Sequence, residues 1–424
     1  MKRTNLDICL AVVVAVFLCG SPASGAGMLI EDATAPFGKF GGVEYVVHTG
    51  RFVGSTSTGD YRVPYEIVAP SNPRRGNGTV IVEPSHFLAG TAARDLVLGP
   101  ELLFGEGFTY AAVGWSFFDN SILDPSATDV FIDGGVGGED EEIIADFARA
   151  LRAGPAIPDL GDVEAVYGFG YSQTSAAFLT VLYSPAGQGL LDFSLLTVLP
   201  AAFLGPALPS PFSPPHLGGR MIVAQSEADL ILWGGALVRG DDDLFPEYRS
   251  YEFAGMPHIP ATTSAALFKG APQQDWRPFA RALFLAGHDW TTTAVEPPPS
   301  VAIDSSAPGE VDPVYGWPTG IARDETGNAL GGVRPPDLEL GRGRFVACDF
   351  AAPFPPPPGF IGAFTDLRCT DDFRAAFRSH GRYVSAHRHE VNSLVRQRFL
   401  LKGDALDMHT NAARSEVGKP RSCP

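Results

Sequence analysis

The sequence has few cysteines for its length, five among 424 residues. Cys348, Cys369 and Cys423 follow the leader segment described below, and so small a number excludes the disulfide-dense miniature scaffolds. The sequence contains no C-x-x-C pair and no Cys/His cluster, so nothing in it predicts a zinc site. An oxidising compartment would allow one disulfide, and we predict that it joins Cys348 to Cys369 because these two are close in sequence.

Basic residues are also scarce, since 31 Lys and Arg stand against 48 Asp and Glu and the formal net charge is -17. This charge disfavours nucleic acid and anionic membrane surfaces as partners. Long apolar runs are lacking as well, because no stretch approaches the roughly 18 uncharged apolar residues of a transmembrane helix. We therefore expect no nucleic-acid partner and no membrane insertion.

The beginning of the chain carries a targeting pattern. Lys2 and Arg3 precede an apolar run at 8–18, and small residues follow it up to Ala26. This order is typical of a cleaved secretory signal peptide over residues 1–26. We therefore predict a secreted or periplasmic protein.

Two strand-like runs, 61–69 and 79–83, flank a turn that contains Asn77-Gly78, and this pattern predicts a β-hairpin. Beyond it, helical and strand-like patterns alternate: a helix near 92–104, a strand within 107–116, a helix within 137–155, a strand at 163–170 and a helix at 174–184. Such alternation predicts the α/β class, with a mostly parallel central sheet and helices on both faces.

Two proline-rich regions interrupt this alternation. Residues of about 200–216 combine proline with bulky apolar side chains, and we interpret them as a cap-like insertion that walls an apolar pocket. The region of about 295–424 is interpreted as an extension over the domain surface. The alternative is a linker to a separate tail domain, but about 60 terminal residues would make a poor independent core. The prediction is one domain over 27–424.

A serine lies where a strand pattern changes into a helix pattern. The run from Gly170 to Thr174 matches the first glycine and the serine, Ser172, of G-x-S-x-G, but Thr174 replaces the last glycine. In the full motif a sharp turn exposes the serine hydroxyl beside the helix N-terminus. The alternative is that Ser172 is an ordinary helix N-cap.

Possible catalytic partners for Ser172 occur downstream. A serine hydroxyl needs an imidazole to accept its proton, and the imidazole needs a carboxylate to orient it. Glu227 and Asp229 follow an apolar strand pattern, and His258 follows the next one, "YRSYEF". We prefer Asp229 as the acid because a turn after the strand can aim it at the histidine, and Glu227 is the alternative.

An oxyanion hole requires two N–H groups aimed at the developing negative charge. The backbone N–H of Gln173, directly after the serine, is one predicted donor. The loop after "TVIVEP" should supply the second, and its candidates are Ser85, His86 and Phe87. His86 could instead contact substrate or fill the loop.

These segments carry a family resemblance. "GYSQTS", "VAQSEADL" and "FAGMPHI", followed by "RDETGNALGGVRPPDLEL" and "SHGRYVSAHRHEVNSLVRQRFLLKGDAL", resemble the bacterial α/β-hydrolase-domain family whose serine lies in a G-x-S-Q-S/T elbow. The resemblance spans about 52–407, which implies the α/β-hydrolase fold and a C-terminal extension within the same domain. It implies a nucleophile at Ser172, an acid within "SEAD" and a histidine at His258.

Two positions depart from the family's pattern. Ser175 stands where the family often has glycine, and "VEPSHF" replaces its usual loop containing tryptophan and asparagine. These differences concern the oxyanion loop and the substrate preference. "GNALGGVRPP" is typical of the family and has no assigned chemistry.

The leading hypothesis is an exported serine hydrolase that cleaves a small-molecule carboxylic ester through an acyl-enzyme, without a metal or other cofactor. An acyltransferase using the same residues is the first alternative. A non-catalytic binding protein on the same scaffold is the second, because fold does not determine function.

Overall fold

The computed structural model describes residues 27–419, except 88, 117–122, 127, 134–138, 155–159, 203, 205–207, 209–211, 216–217, 261–273 and 352–358. The predicted signal peptide and Cys423 lie outside the described residues.

The described strands are β1 Met28–Phe40, β2 Val43–Ser55, β3 Asp60–Pro70, β4 Thr79–Pro84, β5 Thr109–Val113, β6 Phe131–Ile132, β7 Ala165–Tyr171, β8 Phe193–Thr197, β9 Arg220–Ser226, β10 Tyr248–Phe253, β11 Gly343–Val346 and β12 Ala363–Asp366. The described α-helices are α1 Pro100–Gly105, α2 Glu142–Arg152, α3 Gln173–Tyr183, α4 Glu227–Trp233, α5 Arg277–Thr293, α6 Pro336–Glu339, α7 Asp371–Ala376, α8 His380–Arg396 and α9 Lys402–Arg414. A π-helix at Ala93–Val97 precedes α1, so the helix predicted near 92–104 is present in two pieces.

One sheet organises the described part of the chain, in the strand order β1-β2-β3-β5-β4-β7-β8-β9-β10, with β6 paired to β3. Neighbouring strands are parallel along the six-strand run β5-β4-β7-β8-β9-β10. Strands β1, β2, β3 and β6 join in antiparallel pairings on the β5 side. The predicted mostly parallel sheet is confirmed.

The predicted hairpin between β3 and β4 is wrong. Strand β5 lies between them and pairs with both. Asn77 uses its turn chemistry locally, since its Oδ1 accepts the Thr79 N–H at 2.9 Å and its Nδ2 donates to Glu106 O at 2.9 Å. A long hairpin does occur, but it joins β1 to β2 through Gly41 and Gly42, and no sequence pattern predicted it.

Each face of the sheet carries its own hydrophobic core. Alternate residues of β4 face opposite sides, as a pleated strand requires: Val80 and Val82 join one core, and Ile81 joins the other. Helices α2 and α3 pack on the first side, and α5, α8 and α9 contribute to the second. The prediction of helices on both faces is confirmed.

Within the predicted cap-like insertion, the structure describes 200–202, 204, 208 and 212–215. Leu204, Leu208 and Phe212 pack against the core formed with α2 and α3. The remainder of that prediction lies outside the described residues.

The region after α5 packs along the edge of the sheet at β10. Glu252 N–H donates to Val301 O at 3.0 Å, and Ala254 N–H donates to Val333 O at 3.1 Å. These bonds cover backbone groups that an edge strand would otherwise leave open. We use the term extension for the region from 295 onward. That it forms a single domain with the rest of 27–424 stays a prediction.

The predicted disulfide between Cys348 and Cys369 is wrong. Cys348 has a free, buried thiol, and Cys369 is disulfide-bonded. Cys348 packs with Ala228 of α4 and with Ala347, as a small apolar side chain would. Burial raises the pKa of the Cys348 thiol well above its usual range.

No helix among the described residues combines the length and apolar character needed to cross a membrane.

Candidate active site

Ser172 lies in the sharp turn between β7 and α3, with φ 55° and ψ -118°, a conformation that few residues other than glycine adopt. Close packing beneath the turn requires glycine at Gly170, where a Cβ would lie 2.6 Å from Ser175 Cα. Thr174, at the position of the missing motif glycine, accepts the Tyr171 N–H at 2.9 Å and donates to Tyr171 O at 3.0 Å. The threonine hydroxyl thus closes the turn with bonds that glycine could not make.

The Ser172 hydroxyl makes no capping hydrogen bond to α3. It lies 2.9 Å from Nε2 of His258, and the serine side chain is only partly buried. The N-cap interpretation of Ser172 is therefore not supported, because its hydroxyl bonds to the imidazole.

Asp229 lies in the first turn of α4, directly after β9, and not in a loop. A reciprocal capping box holds it, since Asp229 Oδ2 accepts the Ser226 N–H at 3.0 Å and the Ser226 hydroxyl at 2.6 Å. Its other oxygen, Oδ1, lies 2.7 Å from His258 Nδ1. A carboxylate can only accept, so Nδ1 donates to Asp229, and Nε2 of the neutral ring accepts the Ser172 O–H.

Glu227, two residues before Asp229, bonds to groups other than His258. Its Oε2 accepts the Gly255 N–H at 2.7 Å, and its Oε1 lies 2.9 Å from Nη1 of Arg323. Burial raises the pKa of Glu227, and the Arg323 charge opposes that rise. The structure thus brings Asp229, and not Glu227, to the imidazole.

Aromatic rings surround His258 on several sides. Its ring centroid lies 4.6 Å from that of Trp233, 5.1 Å from that of Phe360 and 5.9 Å from that of Tyr171. His258 is 2% exposed. The imidazole therefore has little freedom to turn away from Ser172 and Asp229.

A family comparison assigns the chain to a known group of proteins. The family described as alpha/beta hydrolase domain matches residues 47–410. The chain belongs to this family. No curated protein sequence matches the chain.

Several esterases are among the solved structures similar to this α/β hydrolase. A hyperthermophilic esterase from Pyrobaculum calidifontis is 13% identical, with a TM-score of 0.30 over 49% of this chain and 74% of that one. An esterase of Pyrococcus furiosus is 10% identical, with a TM-score of 0.33 over 60% and 89% of the two chains. A glucuronoyl esterase from Solibacter usitatus is 13% identical, with a TM-score of 0.30 over 49% and 70%.

The predicted oxyanion donors of this α/β hydrolase differ in whether their N–H groups already have an acceptor. Gln173 begins α3, so its N–H is one of the first four of that helix, which have no acceptor within the helix. Ser85 N–H donates to Val113 O at 2.9 Å, and His86 N–H donates to Gly90 O at 2.8 Å. The prediction that Ser85 or His86 supplies a backbone donor is therefore wrong, because both amides are engaged.

The His86 side chain nevertheless lies close to the site, with its ring centroid 5.2 Å from that of Tyr171. Burial, and to a lesser extent the nearby His258, lowers the pKa of His86 to about 3. Nδ1 of the neutral ring accepts the Ala89 N–H at 3.0 Å, which leaves the ring proton on Nε2.

Sequence reasoning missed several residues around His258. Trp233 and Phe360 lie far from it in sequence, and no local pattern marks their contact. One feature of the sequence could have pointed to Arg323. It precedes the family-typical "GNALGGVRPP", a segment to which no chemistry was assigned. Among the described residues, no group of three or more His, Cys, Asp or Glu side chains is arranged to hold a metal ion.

Proposed function

We propose that this α/β hydrolase is a serine hydrolase that cleaves a carboxylic ester, with Ser172, His258 and Asp229 as its catalytic residues. The observation that carries the proposal is the continuous hydrogen-bond chain from Ser172 through His258 to Asp229, at 2.9 and 2.7 Å. The strained backbone of Ser172 holds its hydroxyl at one end of that chain.

The reaction follows from the direction of these bonds. Ser172 Oγ attacks the ester carbonyl carbon, and its proton passes to His258 Nε2 as the C–O bond forms. Asp229 stabilises the resulting imidazolium through Nδ1–H. His258 then protonates the departing alcohol as the ester C–O bond breaks. Water attacks the acyl-enzyme with His258 again as base, releasing the acid and restoring Ser172.

The negative charge on the former carbonyl oxygen needs two donors. We assign one to the N–H of Gln173. The second belongs to the loop after β4, where the Phe87 N–H is the remaining one of the three backbone candidates. Either donor, if removed, would cost roughly 100- to 1000-fold in kcat.

The substrate class follows from the surroundings of the proposed base. The half-buried rings of Trp233 and Phe360 present apolar surface next to His258, which favours an uncharged ester with an apolar group. Export rests on the predicted signal peptide over 1–26. The disulfide at Cys369 supports it, because disulfides persist mainly in oxidising compartments.

Ester turnover by matched serine variants tests the proposal. We expect wild-type protein to hydrolyse p-nitrophenyl acetate and butyrate, and Ser172→Ala to lose at least about 10⁴-fold in kcat. The exposed Ser71 is the matched control, and Ser71→Ala should keep wild-type turnover. Turnover by folded Ser172→Ala equal to that of Ser71→Ala would contradict the proposal.

A further inference from the structure

His258 lies in a short turn, Gly255 to Ile259, that the extension holds at both ends. Before the histidine, the Gly255 N–H donates to Glu227 Oε2 at 2.7 Å, and Glu227 is paired with Arg323 of the extension. After the histidine, the Ile259 N–H donates to Phe360 O at 3.0 Å. Residues more than 60 positions later in the chain thus contact this turn at Ile259 and pair with the carboxylate that bonds to Gly255.

The Arg323 guanidinium lies inside the protein, between two buried carboxylates. Nη1 faces Glu227 at 2.9 Å, and Nε donates to Asp312 Oδ2 at 2.6 Å. Its side chain is 2% exposed, and its guanidinium carbon lies 5.2 Å from the centre of the Tyr315 ring. A guanidinium holds its N–H groups at fixed angles and can reach two carboxylates at once, whereas a lysine ammonium acts as a point charge.

Arg323 in turn fixes the direction of Glu227. A buried carboxylate without a cation would turn toward other donors or take up a proton. With Arg323 on Oε1, the Oε2 atom stays aimed at the Gly255 N–H. Gly255 has φ 73°, and a Cβ there would meet Leu338 Cδ1 at 2.6 Å and Phe345 Cβ at 2.8 Å, so the extension also packs closely on this turn.

We propose that Arg323 is a positioning residue for His258, acting through Glu227 and the Gly255 N–H to set the imidazole against Ser172. The inference rests on the proposed function of His258. It gives the extension an indirect part in the reaction and assigns a role to the segment that begins at Arg323. Asp229 and Glu227 then have separate roles. Asp229 contacts the imidazole, and Glu227 holds the turn that carries it.

Steady-state kinetics of Arg323→Gln provide the first test, with Arg344→Gln as the matched control because Arg344 is exposed on β11 of the same extension. We expect Arg323→Gln to lower kcat by about 10- to 100-fold, since small misplacement of a catalytic group costs that much. KM should change little, because Arg323 does not touch the proposed substrate site. Arg323→Lys should recover part of the loss, and Arg344→Gln should match wild type.

A second pair of variants, both built on Asp312→Asn, isolates the path through Glu227 and leaves neither buried carboxylate charged without its cation. Glu227→Gln keeps an oxygen for the Gly255 N–H without requiring a cation. Adding Arg323→Gln to it should change kcat by no more than about twofold. A further tenfold loss on adding Arg323→Gln would overturn the path through Glu227, and this comparison remains decisive where Arg323→Gln alone does not fold.

Proton NMR of the His258 Nδ1–H provides a readout that does not require turnover. This proton lies in the hydrogen bond to Asp229 and should give a downfield resonance. We expect the resonance to broaden or shift in Arg323→Gln and to remain unchanged in Arg344→Gln. Unchanged kcat and an unchanged resonance in folded Arg323→Gln would overturn the inference while wild-type ester turnover stands. Loss of the resonance in a protein whose wild type cleaves no ester would support the positioning role and contradict the proposed function.

Discussion

Asp229 and Glu227 lie two residues apart at the start of one helix, yet only Asp229 bonds to His258, at 2.7 Å from Oδ1 to Nδ1. Glu227 bonds to the Gly255 N–H and pairs with Arg323. Replacing each carboxylate by its amide should therefore change kcat by different amounts.

Asp229→Asn should lower kcat by about 10⁴-fold, because an amide no longer selects the tautomer in which Nε2 accepts from Ser172. Glu227→Gln should cause a much smaller loss, since its amide oxygen can still accept the Gly255 N–H. Ester turnover by the two purified variants provides the comparison. A greater loss in Glu227→Gln would assign the acid role to Glu227.

Thr174→Val should destabilise the protein by about 1–3 kcal/mol, because the buried N–H and carbonyl of Tyr171 would lose their hydroxyl partner. Thr174→Ser keeps the hydroxyl and serves as the control. Urea unfolding of the two variants gives the difference in the free energy of unfolding. Equal stability would show that the hydroxyl does not hold the turn.

The raised pKa of buried Glu83, near the end of β4, predicts that the stability of the protein depends on pH. Burial raises its pKa from the ordinary 4.5 to about 8, although bonds from Tyr110 and the Ala93 N–H and the charge of Arg94 oppose the rise. Between pH 4.5 and 8 the folded state therefore keeps a proton that the unfolded chain has lost. The contribution of Glu83 to stability is complete below this window and is lost as the pH rises through it.

Glu83→Gln stays neutral throughout, so it should match wild type near pH 4.5 and exceed it in stability at pH 8. Urea unfolding of both proteins at pH 4.5, 6.5 and 8 measures the difference. A difference that does not grow with pH would contradict a raised pKa for Glu83.

The cysteines should differ in their reactivity. Cys348 is 1% exposed and has a free thiol, so it should resist alkylation in the native protein and react fully after unfolding without a reductant. Cys369 should react only after reduction, because it is disulfide-bonded. Peptide mass spectrometry after each treatment distinguishes the two. Alkylation of Cys369 in unfolded, unreduced protein would contradict the disulfide.

The sequence predicted features that depend on neighbouring residues. The alternation of strands and helices depends on local periodicity, and the turn at Ser172 depends on Gly170 and its neighbours. The positions of Asp229 and His258 just after β9 and β10 could also be predicted, because parallel strands bring their carboxyl ends to one edge of the sheet.

Features that depend on distant pairing were missed. The hairpin predicted from Asn77-Gly78 is wrong because β5, a later strand, enters between β3 and β4. The amides of Ser85 and His86 are engaged by Val113 and Gly90, and sequence does not reveal the direction of a loop N–H. Arg323 reaches Glu227 across almost a hundred residues, a contact that no local pattern encodes.

Covalent labelling of Ser172 by a fluorophosphonate probe tests the central claim most directly. The account predicts that folded wild-type protein is labelled on the peptide containing Ser172, that His258→Ala is labelled far more slowly, and that Ser172→Ala is not labelled. Mass spectrometry of the digested protein identifies the modified residue. Absence of labelling in folded wild type, or equal labelling of Ser172→Ala, would contradict the assignment of Ser172 as the nucleophile.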